Sequence, residues 1–130
     1  MKGVATLALI ALSLTGCRAD DAPRAFGPDR VWTLKQLNGA PFAARATLTF
    51  PTTDEIAGSG PCNRYFGAMN ASYPQFSAGP IGSTRMACPD MSVETAFFAA
   101  LDLATQANAS NDTLTLSGPD GLEMVFTATE

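Results

Sequence analysis

The three cysteines are the residues of this chain best suited to specific chemistry. They stand at positions 17, 62 and 88, and cysteine side chains can bind metals, act as nucleophiles, form disulfides or carry lipids. The chain contains no histidine and no Cys-x-x-Cys spacing, which disfavours both metal binding and catalysis. With Cys17 assigned to a lipid, on grounds given below, Cys62 and Cys88 form an even pair. We predict that these two form a disulfide in an oxidising compartment.

This disulfide would gather several polar residues into one small neighbourhood. The Cα atoms of two bonded cysteines lie about 4.4 to 6.8 Å apart, so the residues beside each cysteine must also come close. The sequence therefore indicates one candidate binding site, made of Asn63, Arg64, Thr84 and Arg85. A guanidinium held beside the disulfide could bind an anionic ligand.

A structural role for the same residues is the alternative. The arginines could stack on Tyr65 and Phe66, or form ion pairs with Asp90 and Glu94, and so fix the loops. Asn63 could bond its own backbone as a turn residue. The residue types alone leave both interpretations open.

Other catalytic machinery is scarce. The lack of histidine removes the commonest general base and the Ser and Cys triads, and the chain has neither a Walker A loop nor a dinucleotide fingerprint. A carboxylate pair is the remaining option, and its candidates are Glu55, Asp90, Glu94 and Glu123. Scattered carboxylates usually only solubilise a surface, so we predict no enzymatic activity, no catalytic residues, no bound metal and no cofactor.

The first sixteen residues are typical of a bacterial lipoprotein signal peptide. Lys2 gives a basic start, residues 3–13 form an apolar run, and small residues then precede Cys17 in the lipobox-like sequence LTGC. A transmembrane helix is the alternative, but the run is well short of the roughly 20 apolar residues that span a bilayer. We predict cleavage after residue 16 and acylation of Cys17.

Residues 17–29 are predicted to form the lipidated cysteine and a flexible tether, because they contain prolines, a glycine and several charges. Loss of Lys2 leaves seven basic and twelve acidic side chains, a net charge of −5, so nucleic acid is not an expected partner. The lipid supplies membrane attachment. In enterobacterial-type sorting, an aspartate directly after the lipidated cysteine retains a lipoprotein at the inner membrane. This chain has Arg18 at that position, so we predict an outer-membrane location facing the periplasm.

Hydrophobic alternation predicts a series of short strands after the tether. Residues 31–37 and 46–50 alternate, with Trp32 in the core and Asn38-Gly39 as a tight turn. A hairpin then leads through residues 56–58 into the glycine-rich stretch around Cys62. Two further strands are predicted at residues 68–73 and 75–81, interrupted by Pro74.

One helix is predicted after Cys88, capped by Asp90 or Ser92 and ended by the polar residues 108–112. Its apolar face consists of Val93, Phe97, Ala100, Leu101 and Ala104. Residues 113–116 and 122–127 are then predicted to form a closing hairpin. Strand pairs before one helix and a hairpin after it, without βαβ alternation, predict an α+β fold in which an antiparallel sheet packs against a single α-helix.

The central motif carries a family resemblance. The run G-x-G-x-C-N-R-Y-F-G, followed about twenty residues later by S-T-R-M-A-C, resembles the META domain family, whose bacterial members include HslJ-like lipoproteins. The tryptophan-bearing strand before the run and the glutamate-containing helix after it also match, so the resemblance covers residues 30–126. It implies an antiparallel sheet curled towards a barrel, and we assign residues 30–130 to this domain.

Two functions follow as hypotheses. The resemblance implies a non-enzymatic envelope lipoprotein that supports outer-membrane integrity or the response to stress and antibiotics. The alternative is an inhibitor or binding module that acts on an envelope hydrolase through the disulfide-linked loops. The chain carries no partner-specific motif that separates them.

A small apolar or amphipathic ligand is a further possibility. The alanine-rich face of the helix could leave a gap against the sheet, with Arg64 or Arg85 at its rim facing an anionic lipid head. A filled core, with Trp32, Phe50 and Phe126 supplying the missing volume, is the alternative.

Overall fold

The computed structural model describes residue 3 and residues 26–129. The predicted signal peptide, the lipidation site Cys17 and the tether up to residue 25 lie outside the described residues. The described elements are β1 (Val31–Leu37), β2 (Ala40–Pro41), β3 (Thr47–Thr52), β4 (Glu55–Ser59), β5 (Arg64–Ala68), β6 (Gly82–Ser83), α1 (Ser92–Leu103), β7 (Gln106–Ser110), β8 (Thr113–Ser117) and β9 (Glu123–Thr129).

The nine strands form one antiparallel sheet and α1 is the helix that packs against it, which confirms the predicted fold class. The strand order is β6-β5-β4-β3-β1-β9-β8-β7, and β2 pairs with the end of β1. The sheet is open, since β6 and β7 end this order without pairing with each other. Within residues 26–129, no helix is both long and apolar enough to cross a bilayer.

The predicted turn at Asn38-Gly39 joins β1 to β2. Both residues have positive φ, 51° and 80°, as the two central positions of a type I′ hairpin turn require. Leu37 pairs with Ala40 across this turn. The strand β3 also agrees with prediction, although it continues through Pro51 to Thr52.

Residues 69–81 differ from prediction, because the two strands expected at 68–73 and 75–81 do not form. The segment makes only single bridges, from Met69 to Ala78 and from Gln75 to Gln106. Its backbone instead crosses to β7, where Phe76 N donates to Thr105 O and Ala107 N donates to Pro74 O. Prolines at 74 and 80 lack the N–H that a continuous ladder needs, which explains the interruption.

The helix begins close to the predicted position, but its N-cap is Met91 rather than Asp90 or Ser92, and no side chain caps it. The helix also ends earlier than predicted. It spans Ser92–Leu103, and the Asp90 carboxylate accepts hydrogen bonds from Ser92 N and Ser92 Oγ just before its first turn. Ala104 is already extended. Of the residues 108–112 that were expected to end the helix, 108–110 belong to β7, which pairs with β8. Pairing with β8 therefore overrides the local helix preference of the alanines in this region.

The core lies between α1 and the inner face of the sheet. Trp32, Leu48, Phe97, Leu101 and Phe126 are fully buried there. The closing hairpin of β8 and β9 contributes Leu114 and Leu116 to the same core, with a 3-10 turn over Pro119–Gly121 at its tip.

The described fold begins four residues before the predicted domain start. Phe26 is only 6% exposed and stacks on Phe50, with ring centroids 4.1 Å apart. Its carbonyl oxygen accepts a hydrogen bond from Trp32 Nε1 at 3.0 Å. Phe26 is thus attached to the core rather than being part of a free tether, because burial of an aromatic ring is favourable.

Candidate functional site

The predicted disulfide is present between Cys62 and Cys88. Their Cα atoms lie 6.2 Å apart across a sequence separation of 26 residues. The bond joins the loop between β4 and β5 to the segment that leads into α1. We call these two segments, residues 60–63 and 84–88, the disulfide-linked loops.

Asn63 lies at the centre of the disulfide-linked loops and is 3% exposed. Its Oδ1 accepts hydrogen bonds from Thr84 Oγ1 at 2.9 Å and from Met86 N at 2.7 Å. Its Nδ2 donates to Met86 O at 3.2 Å and to Glu94 Oε2 at 2.8 Å. The side chain has no spare donor or acceptor for a ligand, and its role is to hold one loop against the other.

Glu94 holds the same loop from the helix side. It is 2% exposed, and its Oε1 accepts hydrogen bonds from Cys62 N at 3.0 Å and from Asn63 N at 2.6 Å. Burial by itself would raise the pKa of Glu94, but the hydrogen bonds from Asn63 and Cys62 lower it below its ordinary value. Glu94 is therefore a buried carboxylate that stabilises the loop as an anion.

Glycines allow these close approaches. A Cβ on Gly60 would lie 2.6 Å from Glu94 Oε1, so a side chain there would displace the carboxylate from the loop. A Cβ on Gly58 would collide with the Thr47 carbonyl, which also accepts a hydrogen bond from the Tyr65 hydroxyl at 2.6 Å. Burial raises the pKa of Tyr65, so this hydroxyl keeps its proton and remains a donor.

The side chains of Arg64 and Arg85 take no part in the hydrogen bonds of this network. Thr84 Oγ1 accepts a hydrogen bond from Arg64 N, but the Arg64 and Arg85 side chains are exposed. Among residues 26–129 the ion pair found joins Arg30 to Asp112, and the cation–π contact places Arg30 over Trp32. In the described part of the chain, the predicted stacking or pairing of Arg64 and Arg85 does not occur.

A hollow of about 420 Å³ lies over the disulfide-linked loops. It is lined by Asn63, Thr84, Arg85, Met86, Met91 and Phe98, among others. Three of the four predicted binding residues therefore share one surface, whereas Arg64 does not line it. Within residues 26–129, no group of three acidic, cysteine or histidine side chains could hold a metal ion.

A larger groove, about 630 Å³ in volume, lies elsewhere. We call it the Phe26 groove; it is lined by Phe26, Pro28, Phe50 and residues 51–54 and 69–73. The Tyr73 ring meets Phe26 edge-on, with centroids 5.2 Å apart. This volume falls in the range of about 300 to 1,000 Å³ that is usual for small-molecule sites.

The space between α1 and the sheet is filled by aromatic rings, in agreement with the filled-core alternative. Phe97 contacts the rings of Phe42, Tyr65 and Phe98 at centroid distances of 6.4, 5.6 and 5.7 Å. Phe97 and Leu101 are fully buried. Ala100 and Ala104 are also buried. No residue of α1 lines the Phe26 groove, so this apolar groove lies away from the position expected from the sequence.

A family model described as the META domain matches residues 26–130. The chain belongs to the META domain family. The match begins at Phe26, which is where the described fold begins, and it extends over β1 to β9. A search of curated proteins finds no match.

Solved structures share this fold. An NMR structure of a protein from Burkholderia xenovorans is 22% identical with a TM-score of 0.65, and the likeness covers 99% of this chain and 98% of that chain. A crystal structure of a DUF4847 family protein from Bacteroides vulgatus is 16% identical with a TM-score of 0.63, covering 81% and 95% of the two chains. At these identities the likeness shows the META fold alone.

The main omissions of the sequence analysis are the anchoring role of Glu94 and the location of the Phe26 groove. The sequence suggested Glu94 as a member of a carboxylate pair or as an ion-pair partner of Arg64 or Arg85, and it plays neither role within the described residues. A glycine at 60 and an asparagine at 63 were the available signals, since a loop that approaches a helix so closely needs an acceptor for its backbone donors. The sequence holds no signal for the Phe26 groove, because its lining residues come together only where the backbone of residues 69–78 crosses towards β7.

The stability of this META domain is expected to fall in acid partly through Glu94. Because folding lowers the pKa of Glu94, the unfolded chain takes up a proton first as the pH falls, and stability declines below the ordinary pKa of 4.5. Urea unfolding is measured at pH values from 7 to 3. The difference in the free energy of unfolding between wild type and Glu94→Gln should become smaller as the pH falls below 4.5. Hydrogen bonds from Ser92 also lower the pKa of Asp90, but that effect is common to both proteins. A difference that stays constant across this range would contradict the role of the Glu94 anion.

Proposed function

We propose that this chain is a non-enzymatic lipoprotein of the bacterial cell envelope. In this proposal Cys17 carries the lipid that anchors the chain in the outer membrane. The META domain faces the periplasm, supports outer-membrane integrity or the stress response, and binds an apolar ligand in the Phe26 groove.

The Cys62–Cys88 disulfide is the observation that carries this proposal. It uses both cysteines of the domain, so Cys17 is the one cysteine left for acylation, and it follows the apolar N-terminal run directly. A disulfide also suits an oxidising compartment such as the periplasm. These three observations, the cysteine count, the signal-like sequence and the disulfide, are thus all consistent with a location in the periplasm.

The hydrogen bonding of the disulfide-linked loops supports a non-enzymatic role. All donors and acceptors of the Asn63 side chain are used within the protein, and the Glu94 carboxylate is held by Cys62 N and Asn63. A general base must reach a substrate proton, whereas this carboxylate is buried and bonded to the loop. The chain also has no histidine to replace it.

Replacing Cys17 with serine tests the anchor. We expect palmitate labelling to be lost and the protein to move from the membrane fraction to the soluble periplasmic fraction, because the remaining chain has a net negative charge and no acyl group. Wild-type protein serves as the matched control. A Cys17→Ser protein that stays in the membrane fraction would show that another feature holds it there.

The outer-membrane assignment has a separate test in Arg18→Asp. An enterobacterial-type sorting system should retain this variant at the inner membrane, whereas Arg18→Ala should remain in the outer membrane. Sucrose-gradient separation of the two membranes measures the distribution. Equal distribution of both variants would contradict the assignment based on Arg18.

A further inference from the structure

We propose that the Phe26 groove binds a small amphiphile whose polar end is positively charged, such as an alkylammonium compound. This inference rests on the proposed function, in which the groove takes an apolar ligand, and it adds the charge class of that ligand. It reverses the charge expected from the sequence, where an arginine was predicted to meet an anionic head.

The walls of the groove suit an apolar chain. Phe26, Phe50 and Met69 are buried side chains that line it, and Tyr73 adds a half-buried ring. The stacked pair of Phe26 and Phe50 and the edge contact to Tyr73 keep these rings in fixed positions. Fixed aromatic walls lose little conformational entropy when a ligand binds, and aromatic rings also attract cations.

The charge of the groove comes from Asp54. It is the one side chain charged at neutral pH among the lining residues of the Phe26 groove, and it is exposed. Among the hydrogen bonds and ion pairs of residues 26–129, none uses the Asp54 carboxylate; the contacts of this residue are made by its backbone N–H and C=O. The carboxylate is therefore available to a cationic group.

The charges of residues beside the Phe26 groove also favour a cationic ligand. Asp29 and Glu55, the sequence neighbours of Pro28 and Asp54, are both exposed and acidic. The nearby Arg30 is already bonded to the Asp112 carboxylate at 2.8 Å and to Asn111 O at 2.9 Å. Arg64 and Arg85 do not line this groove. Because Asp54 is the one charged residue that lines the groove, an anionic head would be repelled there, which disfavours its binding.

Two probes with the same nine-carbon alkyl tail and opposite head-group charge test this preference. Nonyltrimethylammonium and decanoate are titrated at pH 7 and low salt into the full chain carrying Cys17→Ser, and binding is followed by NMR of the Phe26, Phe50 and Tyr73 resonances. We expect the cationic probe to bind about tenfold more tightly, because one probe is attracted to Asp54 and the other is repelled. Asp54→Asn should bring the two affinities within about threefold of each other. Asp102→Asn, which removes the same charge from the exposed face of α1, should leave the preference unchanged.

A charge-reversed variant provides an independent check. Ser72 lines the groove and is exposed, so Ser72→Arg combined with Asp54→Asn replaces the negative charge by a positive one and should make decanoate the tighter ligand without disturbing the core. Equal wild-type affinities, or a preference that survives Asp54→Asn, would overturn the charge assignment. If neither probe shifts these aromatic resonances, the groove is not a ligand site. Membrane anchoring is measured through Cys17 and does not depend on any of these outcomes.

Discussion

Replacing Glu94 with alanine is expected to lower the free energy of unfolding by about 4 kcal/mol, because two buried donors and one part-buried donor lose this acceptor at once. These donors are Cys62 N, Asn63 N and Asn63 Nδ2. An unpaired buried donor costs about 1 to 3 kcal/mol, and a hydrogen bond to a charged group contributes more than a neutral one. Urea unfolding followed by the fluorescence of Trp32, the single and fully buried tryptophan, measures the change.

Asp102→Ala is the matched control for Glu94→Ala. Asp102 is an exposed carboxylate on the same helix, so its removal should change stability by no more than about 0.5 kcal/mol. A Glu94→Ala protein that unfolds within about 1 kcal/mol of the control would show that the loop does not depend on this carboxylate.

Removing the disulfide with Cys62→Ala and Cys88→Ala together is expected to cost about 3.5 kcal/mol. The closed loop spans a sequence separation of 26 residues, and the bond acts mainly by reducing the conformational freedom of the unfolded chain. The double variant should nevertheless keep its fold, since Asn63 and Glu94 still connect the disulfide-linked loops to α1.

Wild-type protein in reducing buffer provides the control for the double variant, and both should unfold at the same urea concentration. Circular dichroism checks that the sheet and helix are retained. If reduction left the midpoint unchanged, the disulfide would contribute nothing to the stability of the domain.

The elements with a strong local pattern could be predicted from the sequence. The alternation around Trp32 marks β1, and the Asn38-Gly39 dipeptide specifies the turn after it because both residues tolerate positive φ. The helix follows from the spacing of Phe97, Ala100 and Leu101, which are all buried, although its N-cap is Met91 rather than the predicted Asp90 or Ser92. In these segments local preference and tertiary packing agree.

The strand β7 could not be predicted in the same way, because its alanines favour a helix when considered locally. Its position is fixed by pairing with β8, in which Ala107 lies opposite Leu116 and Ala109 opposite Leu114. The alternation of alanines at 107 and 109 with polar residues at 106, 108 and 110 was a weak strand signal. Weak alternation of small residues is easily outweighed by helix propensity.

The surface over the disulfide-linked loops could be predicted from the sequence, whereas the Phe26 groove could not, for a physical reason. Cysteine pairing brought Asn63, Thr84 and Arg85 onto one surface, as a covalent constraint must. The Phe26 groove instead depends on long-range packing, since Phe26 and Tyr73 lie far apart in the chain yet their rings meet. No local pattern encodes such a contact.

The route of residues 69–78 also affects how neighbouring molecules meet. The outermost strands of an open sheet are templates for intermolecular pairing and aggregation. At one end, however, Ala107 N donates to Pro74 O and Ala109 N donates to the Tyr73 hydroxyl, so two donors of β7 are already used within the chain. At the other end β6 has only two residues. Within residues 26–129, neither margin of the sheet offers a long free strand, so the edges of this sheet are poor templates for backbone pairing between copies of the chain.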